Sequence, residues 1–275
     1  NGYDISDYRA IMDEFGTMED LEELMELLHE RDIKLIMDLV LNHSSDEHNW
    51  FKESRKSKDN PYRDYYIWKD GKNGAPPNNW KSFFGGSTWK YDEQTEQYYL
   101  HLFSPKQPDL NWENPKVREE IYEMINWWLK KGVDGFRLDV INLISKDQLF
   151  PDGAESGQKG YEYFANGPRV HEFVQEMAEK TYNNYNAMTV GETPFVDKNE
   201  ALKFVKEERQ EFSMVIPFNH LEFDRKEGWN EISDWDLTEL KDLMSDWQYL
   251  LQENNGWTSL YFCNHDQPRI VSRYG

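Results

Sequence analysis

Ile33-Lys34-Leu35-Ile36-Met37-Asp38-Leu39-Val40-Leu41 is nearly continuous in apolar residues and runs directly into Asn42-His43. A run without the polar alternation of a half-exposed strand reads as a strand covered on both faces, as in a parallel sheet. Just before it, Thr17-Met18-Glu19-Asp20 has the form of a capping box, and Leu21, Leu24, Met25, Leu27 and Leu28 form one apolar helical stripe. Glu19, Asp20, Glu22 and Glu23 supply the solvated face of that helix. The helix–strand unit then recurs. Pro115 stands where a helix begins, and Val117, Ile121, Met124, Ile125 and Trp128 line one face up to Lys131-Gly132. Val133 to Val140 reads as the next strand, followed by a helix from Pro168 to Tyr182 and a strand from Ala187 to Val190. A short helix at Leu202 to Val205, a strand at Phe212 to Ile216, a helix at Leu237 to Leu251 and a strand at Thr258 to Cys263 complete the pattern. Such alternation implies a parallel sheet with right-handed crossovers, either a barrel or an open doubly wound sheet. One region breaks the rhythm: Ser44 to Glu113 shows no good helix and is rich in aromatics, Pro, Asn, Asp and Gly. A loop so long is rarely structureless, so it reads as a small inserted subdomain.

The bulk properties narrow the function. With 275 residues, 38% of them hydrophobic, the chain can build one large core or two smaller ones. A formal charge of -21 would repel the phosphates of nucleic acid. No run of eighteen apolar residues exists to span a membrane, and no basic-then-apolar leader is visible. Cys263 is the only cysteine, which excludes an internal disulfide and fits a reducing, cytoplasmic setting. Eleven Trp and sixteen Tyr supply flat faces of the kind that stack on sugar rings, beside their ordinary use in cores.

The chemistry lies where the strands end. Asn42-His43 closes the first, Arg137 and Asp139 lie in the second, Gly191-Glu192 closes the third and Asn264-His265-Asp266 the last. In a barrel these ends meet at one mouth. Arg137 and Asp139, two residues apart in a strand, point to the same face. A guanidinium beside a carboxylate is expected to keep Asp139 ionised, as suits a nucleophile. Glu192, if desolvated beside other acids, would hold its proton and could donate it. Asp266 is a third carboxylate. Two carboxyls about 5–5.5 Å apart carry glycoside hydrolysis with retention, through a covalent glycosyl-enzyme. Asp38, His43, His265 and Asp266 lack a Cys or a second His at ligand spacing, so no metal site is expected from them.

The segments Asp38-Leu39-Val40-Leu41-Asn42-His43, Gly135-Phe136-Arg137-Leu138-Asp139, Gly191-Glu192 and Asn264-His265-Asp266 resemble the four signature regions of the α-amylase superfamily, in the family's order. Gln107-Pro108-Asp109-Leu110-Asn111-Trp112 resembles its fifth. Together with the opening Gly2-Tyr3-Asp4-Ile5-Ser6-Asp7-Tyr8, they are most similar to the group of oligo-1,6-glucosidases, dextran glucosidases and trehalose-6-phosphate hydrolases. The resemblance implies a (β/α)₈ TIM barrel, represented here by about strands three to seven. Residues 1–43 and 114–275 would form the incomplete catalytic barrel. Residues 44–113 would form a subdomain inserted between strand three and helix three.

It further implies Asp139 as nucleophile, Glu192 as general acid/base and Asp266 as the carboxylate that holds sugar hydroxyls. Tyr3 would stack on the glucose, with Phe84 and Phe103 as further walls. His43, Arg137 and His265 would hydrogen-bond the sugar, with Asp38 in support, and Val140 is similar to the residue found in α-1,6-cleaving members. No cofactor is implied within these residues, and the calcium-binding loop of many relatives would precede Asn1. The implied partner is a short oligosaccharide cleaved at its terminal α-glucosidic bond. Alternatives are trehalose-6-phosphate hydrolysis, to which the tract Gly167 to Phe173 is also similar, a sucrose-isomerising transglycosylase, and a non-catalytic barrel relative such as a transporter subunit.

Overall fold

The computed structural model describes residues 2–155, 158–225 and 234–274. In chain order the elements are α1 (Met18–His29), β1 (Ile36–Val40), α2 (Asn49–Ser54), β2 (Trp68–Lys69), β3 (Trp89–Asp92), β4 (Gln97–Leu100) and α3 (Pro115–Lys131). There follow β5 (Gly135–Asp139), α4 (Tyr161–Phe164), α5 (Val170–Lys180), β6 (Met188–Thr193), α6 (Lys198–Val205), β7 (Met214–Pro217), α7 (Asn219–Glu222), α8 (Leu237–Glu253) and α9 (Ile270–Tyr274).

β1, β5, β6 and β7 lie side by side in that order, all parallel. A doubly wound sheet reverses its strand order at a switch point, whereas a barrel wall proceeds in one direction. The described strands follow the barrel pattern. Their register places Val40 beside Asp139, Leu138 beside Gly191 and Glu192 beside Ile216, so the strand ends come level with one another. Two glycines permit the close packing. A Cβ on Gly135 would lie 2.1 Å from the Met188 carbonyl oxygen, and one on Gly191 would press on the Phe212 ring at 2.9 Å.

The helices carry their own start and stop chemistry. The Thr17–Asp20 capping box opens α1. Asn114 caps α3 ahead of Pro115, and Gly132 ends it in the left-handed region at φ 112°. The α3 face of Val117, Ile121, Met124, Ile125 and Trp128 is buried in one core with Leu39 and Leu138 of the sheet and Phe173 and Met177 of α5. Truncating a side chain such as Ile125, fully buried there, to alanine costs about 2–5 kcal/mol.

Between β1 and α3, β2, β4 and β3 pair antiparallel into a separate small sheet. It is sewn to the end of β1, since Leu110 N–H donates to the Asn42 carbonyl at 2.9 Å. A second core cluster joins Ile67, Trp80, Trp89, Leu100 and Leu102 from this region to Val140, Leu143, Phe150 and Phe164 from the chain after β5.

Two expectations need correction. The region from Ser44 to Glu113 does contain a helix, the six-residue α2, held by His48 Nδ1 accepting from Trp50 N–H at 3.1 Å. It is too short to show a periodic stripe. Thr258 to Cys263 forms no ladder: a single parallel bridge joins Val215 to Thr258. With β6 on the other side of β7, this segment lies at the edge of the described sheet, where half its backbone groups lack strand partners. The Tyr261 carbonyl instead accepts from His220 Nε2 at 2.6 Å. Among the described residues, no helix is long and apolar enough to cross a membrane.

Candidate active site

A cavity of about 560 Å³ opens where the four parallel strands end. His43 follows β1, Asp139 and Val140 close β5, Glu192 and Pro194 come from the end of β6, and Phe218 follows β7. Tyr3, Phe84, Phe103, His265 and Asp266 also line it, so nine of the residues singled out from the sequence share one hollow. Asp38 and Arg137 do not line it. They stand behind the wall, where Arg137 Nη1 donates to Asp38 Oδ1 and to Asp139 Oδ1, both at 2.8 Å. Arg137 Nη2 lies 2.6 Å from Glu192 Oε2. One guanidinium thus bridges the two buried carboxyls and bonds a third.

The charge balance overturns one expectation. Arg137 does not decide the state of Asp139. Burial comes first and raises its pKa well above the ordinary carboxylate range, Glu192 adds to the rise, and Arg137 only opposes it. Burial likewise raises Glu192, against the pull of Arg137 and the Val140 N–H. Two desolvated carboxyls sharing one cation titrate as a pair and keep a proton between them where a lone carboxylate has lost it.

Around the acids, donors and rings are tightly ordered. Tyr3 Oη donates to Asp38 Oδ2 at 2.7 Å, lies 2.8 Å from His265 Nε2, and its ring stacks on His265 with centroids 5.4 Å apart. Burial and the bond to Asp38 raise the phenol's pKa, so it remains a neutral donor. His43 is buried and its pKa is pushed down to about 4, mainly by desolvation, which leaves a neutral imidazole. Its Nε2 is 3.1 Å from the Tyr3 carbonyl. His265 and Asp266 are over half exposed at the rim, 3.2 Å apart. Phe84 is 70% exposed, a rim residue that meets Phe103 edge-on at 5.8 Å.

Sequence reading missed several neighbours. Phe83, one residue before the expected Phe84, stacks on Phe103 at 4.9 Å and on Phe195 at 5.9 Å, making the continuous aromatic wall. Gln107, Gln158, Phe195, Phe218 and Gln267 also face the cavity. Gln107 lies in the motif Gln107 to Trp112, which was a usable signal, whereas single Phe or Gln residues in loops carry none. Lys146 was also missed. It is fully buried, 2.8 Å from Asp109 Oδ2, and donates to Asn42 Oδ1 at 2.7 Å, locking the end of β1 to the inserted region. No group of three or more His, Cys, Asp or Glu is arranged to hold a metal ion among the described residues.

Over residues 1–275 the chain matches the family described as alpha amylase, catalytic domain. It is 61% identical over 281 residues to an oligo-1,6-glucosidase of Parageobacillus thermoglucosidasius, which covers 100% of this chain and 50% of that protein. It is 52% identical over 278 residues to a trehalose-6-phosphate hydrolase of Bacillus subtilis, covering 100% of this chain and 49% of the relative. Among solved structures, the trehalose-6-phosphate hydrolase of Bacillus licheniformis matches with a TM-score of 0.94 at 53% identity, over 100% of this chain and 50% of that one. The trehalulose synthase of Pseudomonas mesoacidophila matches with a TM-score of 0.95 at 46% identity, again over 100% and 50%. The chain spans about half the length of the curated relatives it matches.

Proposed function

The chain belongs to the α-amylase catalytic-domain family, and from that premise we propose that the complete protein is a retaining α-glucosidase acting on the terminal bond of short oligosaccharides. The observation that carries this reading is the single guanidinium of Arg137 spanning Asp139 and Glu192 at the floor of a sugar-sized cavity. Such a bridge holds the two carboxyls on one side of the same cavity, and retention needs them about 5–5.5 Å apart.

In the proposed reaction, Asp139 attacks the anomeric carbon while the glycosidic C–O bond breaks, and Glu192 delivers its proton to the departing oxygen. Water then attacks the glycosyl ester, Glu192 takes the water's proton, and the Asp139 carboxylate leaves as free glucose forms. Asp266 holds sugar hydroxyls from the rim, and Tyr3, Phe84 and Phe103 contribute apolar walls. His43 and His265 bind the sugar from the cavity wall. Arg137 and Asp38 act from behind the acids.

A neutral sugar suits the cavity better than a phosphorylated one. Among the described residues lining it there are three carboxyl side chains and no Lys or Arg. The cation of the tract from Gly167 to Phe173 is engaged elsewhere, since Arg169 pairs with Glu113 and Glu172. Phosphate recognition calls for convergent charged donors. Val140 on the wall favours α-1,6 bonds in this reading, by the ~1–3 kcal/mol that a methyl group is worth. The single exposed free thiol, Cys263, suits a reducing compartment, and the cytoplasm is the proposed location. Turnover of isomaltose, maltose and trehalose 6-phosphate by the complete protein tests the assignment. Isomaltose is expected to be the best of the three; preferential cleavage of trehalose 6-phosphate overturns it.

A further inference from the structure

The two carboxyls offer four oxygens, and the residues behind them are divided unequally among these. Arg137 Nη1 donates to Asp139 Oδ1 at 2.8 Å. Arg137 Nη2 lies 2.6 Å from Glu192 Oε2, and the main-chain N–H of Val140 donates to that same Oε2 at 3.1 Å. Oε2 therefore accepts the Val140 N–H and lies against the Arg137 cation, so a proton on it would be set directly against that charge.

Val140 reaches this position through an unusual backbone, φ 37° and ψ 40°. The left-handed region is a genuine outlier for a β-branched residue and persists only where the surroundings dictate it. Here they do. The Val140 side chain is buried in the second core with Leu143 and Phe150, and its carbonyl accepts from Leu143 N–H at 2.9 Å to start the turn Ile141–Leu143. The twist points the amide of the residue after the proposed nucleophile at the proposed acid/base, across from β5 to β6.

We propose that the Val140 amide is a positioning group for Glu192: with Arg137 it reserves Oε2 as an acceptor, so that Oε1 carries and returns the proton. By the same division Asp139 Oδ1 is held by Arg137, and Oδ2 is the attacking oxygen. This assignment of atoms rests on the α-glucosidase reading for its use in catalysis, while the hydrogen bond itself does not. The other charged or titratable groups that act on Glu192 are Arg137 and Asp139 from β5 and Asp266 from the rim, and Tyr261 also senses its charge.

The test reads Glu192 directly, in the complete protein, by ¹³C-carboxyl NMR titration with Glu192→Gln as the assignment control. An N–H donor favours the ionised carboxylate. Replacing Val140 with 2-hydroxyisovaleric acid, which exchanges the amide for an ester and keeps the side chain, is expected to raise the Glu192 titration by about one pH unit. The alkaline limb of kcat/KM should move up with it. Val140→Gly keeps the N–H and tolerates the left-handed backbone, so it should produce no such rise. In the unmodified protein the Val140 amide proton shift should inflect at the Glu192 titration, a measurement that needs no variant. An unmoved titration in a folded ester variant, an equal rise in Val140→Gly, or an amide shift without the inflection each overturns the proposal. If the titration moves as expected but no glucoside is turned over, the hydrogen bond stands and the α-glucosidase reading falls.

Discussion

Two ionic clusters sit at the same end of the parallel sheet, one wholly buried and one partly open, and they are built to opposite balances. Lys146 and Asp109 form a one-to-one pair, 1% and 0% exposed, with Asn42 as an additional acceptor for the ammonium. Burial lowers the Lys146 pKa while Asp109 opposes that shift. Around Arg137, one cation faces Asp38, Asp139 and Glu192. The first cluster is closed on itself and joins the inserted region to β1. The second is short of positive charge, opens onto the cavity and holds a proton that an ordinary carboxylate would have lost. Asp139 and Glu192 are buried as Asp109 is, so burial does not separate structural from reactive charge. The ratio of cations to carboxyls does.

The largest effect expected from this contrast is on turnover. Glu192→Gln removes the proposed proton donor and should lower kcat by about 10²–10⁴-fold, and Asp139→Asn, which removes the proposed attacking oxygen, by at least as much. Neither should weaken the fold, because each relieves the excess of buried acid. Steady-state kinetics and thermal melting together check this; near-normal kcat, or a collapse of the melting temperature, would contradict it. In the balanced cluster the outcome should be reversed. Lys146→Met leaves Asp109 buried without its cation and should cost about 3–5 kcal/mol of stability, measured by urea denaturation. A loss under about 1 kcal/mol would show that the pair is not the closed structural unit described.

The smallest effect is on how stability varies with pH. Both Asp139 and Glu192 have folded pKa values raised above the unfolded ones. The unfolded chain therefore gives up these protons first. The stability tied to the protonated pair is complete below about pH 4 and is lost as pH rises through the folded values. Asp139→Asn removes part of that loss, so its stability relative to the parent should grow from about pH 4 toward neutrality. Urea denaturation over that range should show the difference widening; a constant or shrinking difference would mean the acids are not strained by their pairing. Lys146→Met should show no such widening.

The parts of the molecule that were legible in advance follow local rules. The capping box at Thr17, Pro115 and Gly132 bounding α3, and the apolar runs of β1 and β5 depend on neighbours within a few residues. The polar residues at the strand ends were legible too, because a parallel sheet aligns whatever follows each run. Harder to see were features that depend on distant partners. Phe83 forms the aromatic wall while Phe84 lies at the rim, although the two are adjacent in the chain. The segment Thr258 to Cys263 has a strand's composition, but its single bridge depends on what lies beside it.

Residue types and spacing along the chain were enough to settle that strands alternate with helices and that acids stand at the strand ends, since backbone periodicity and capping are short-range effects. The protonation of those acids was not written there. Arg137 two residues before Asp139 predicted a lowered carboxylate pKa, and the fold raises it instead, by burying Asp139 and bringing Glu192 from another strand onto the same guanidinium. Desolvation and charge sharing depend on distance through space, which a linear order of residues does not contain.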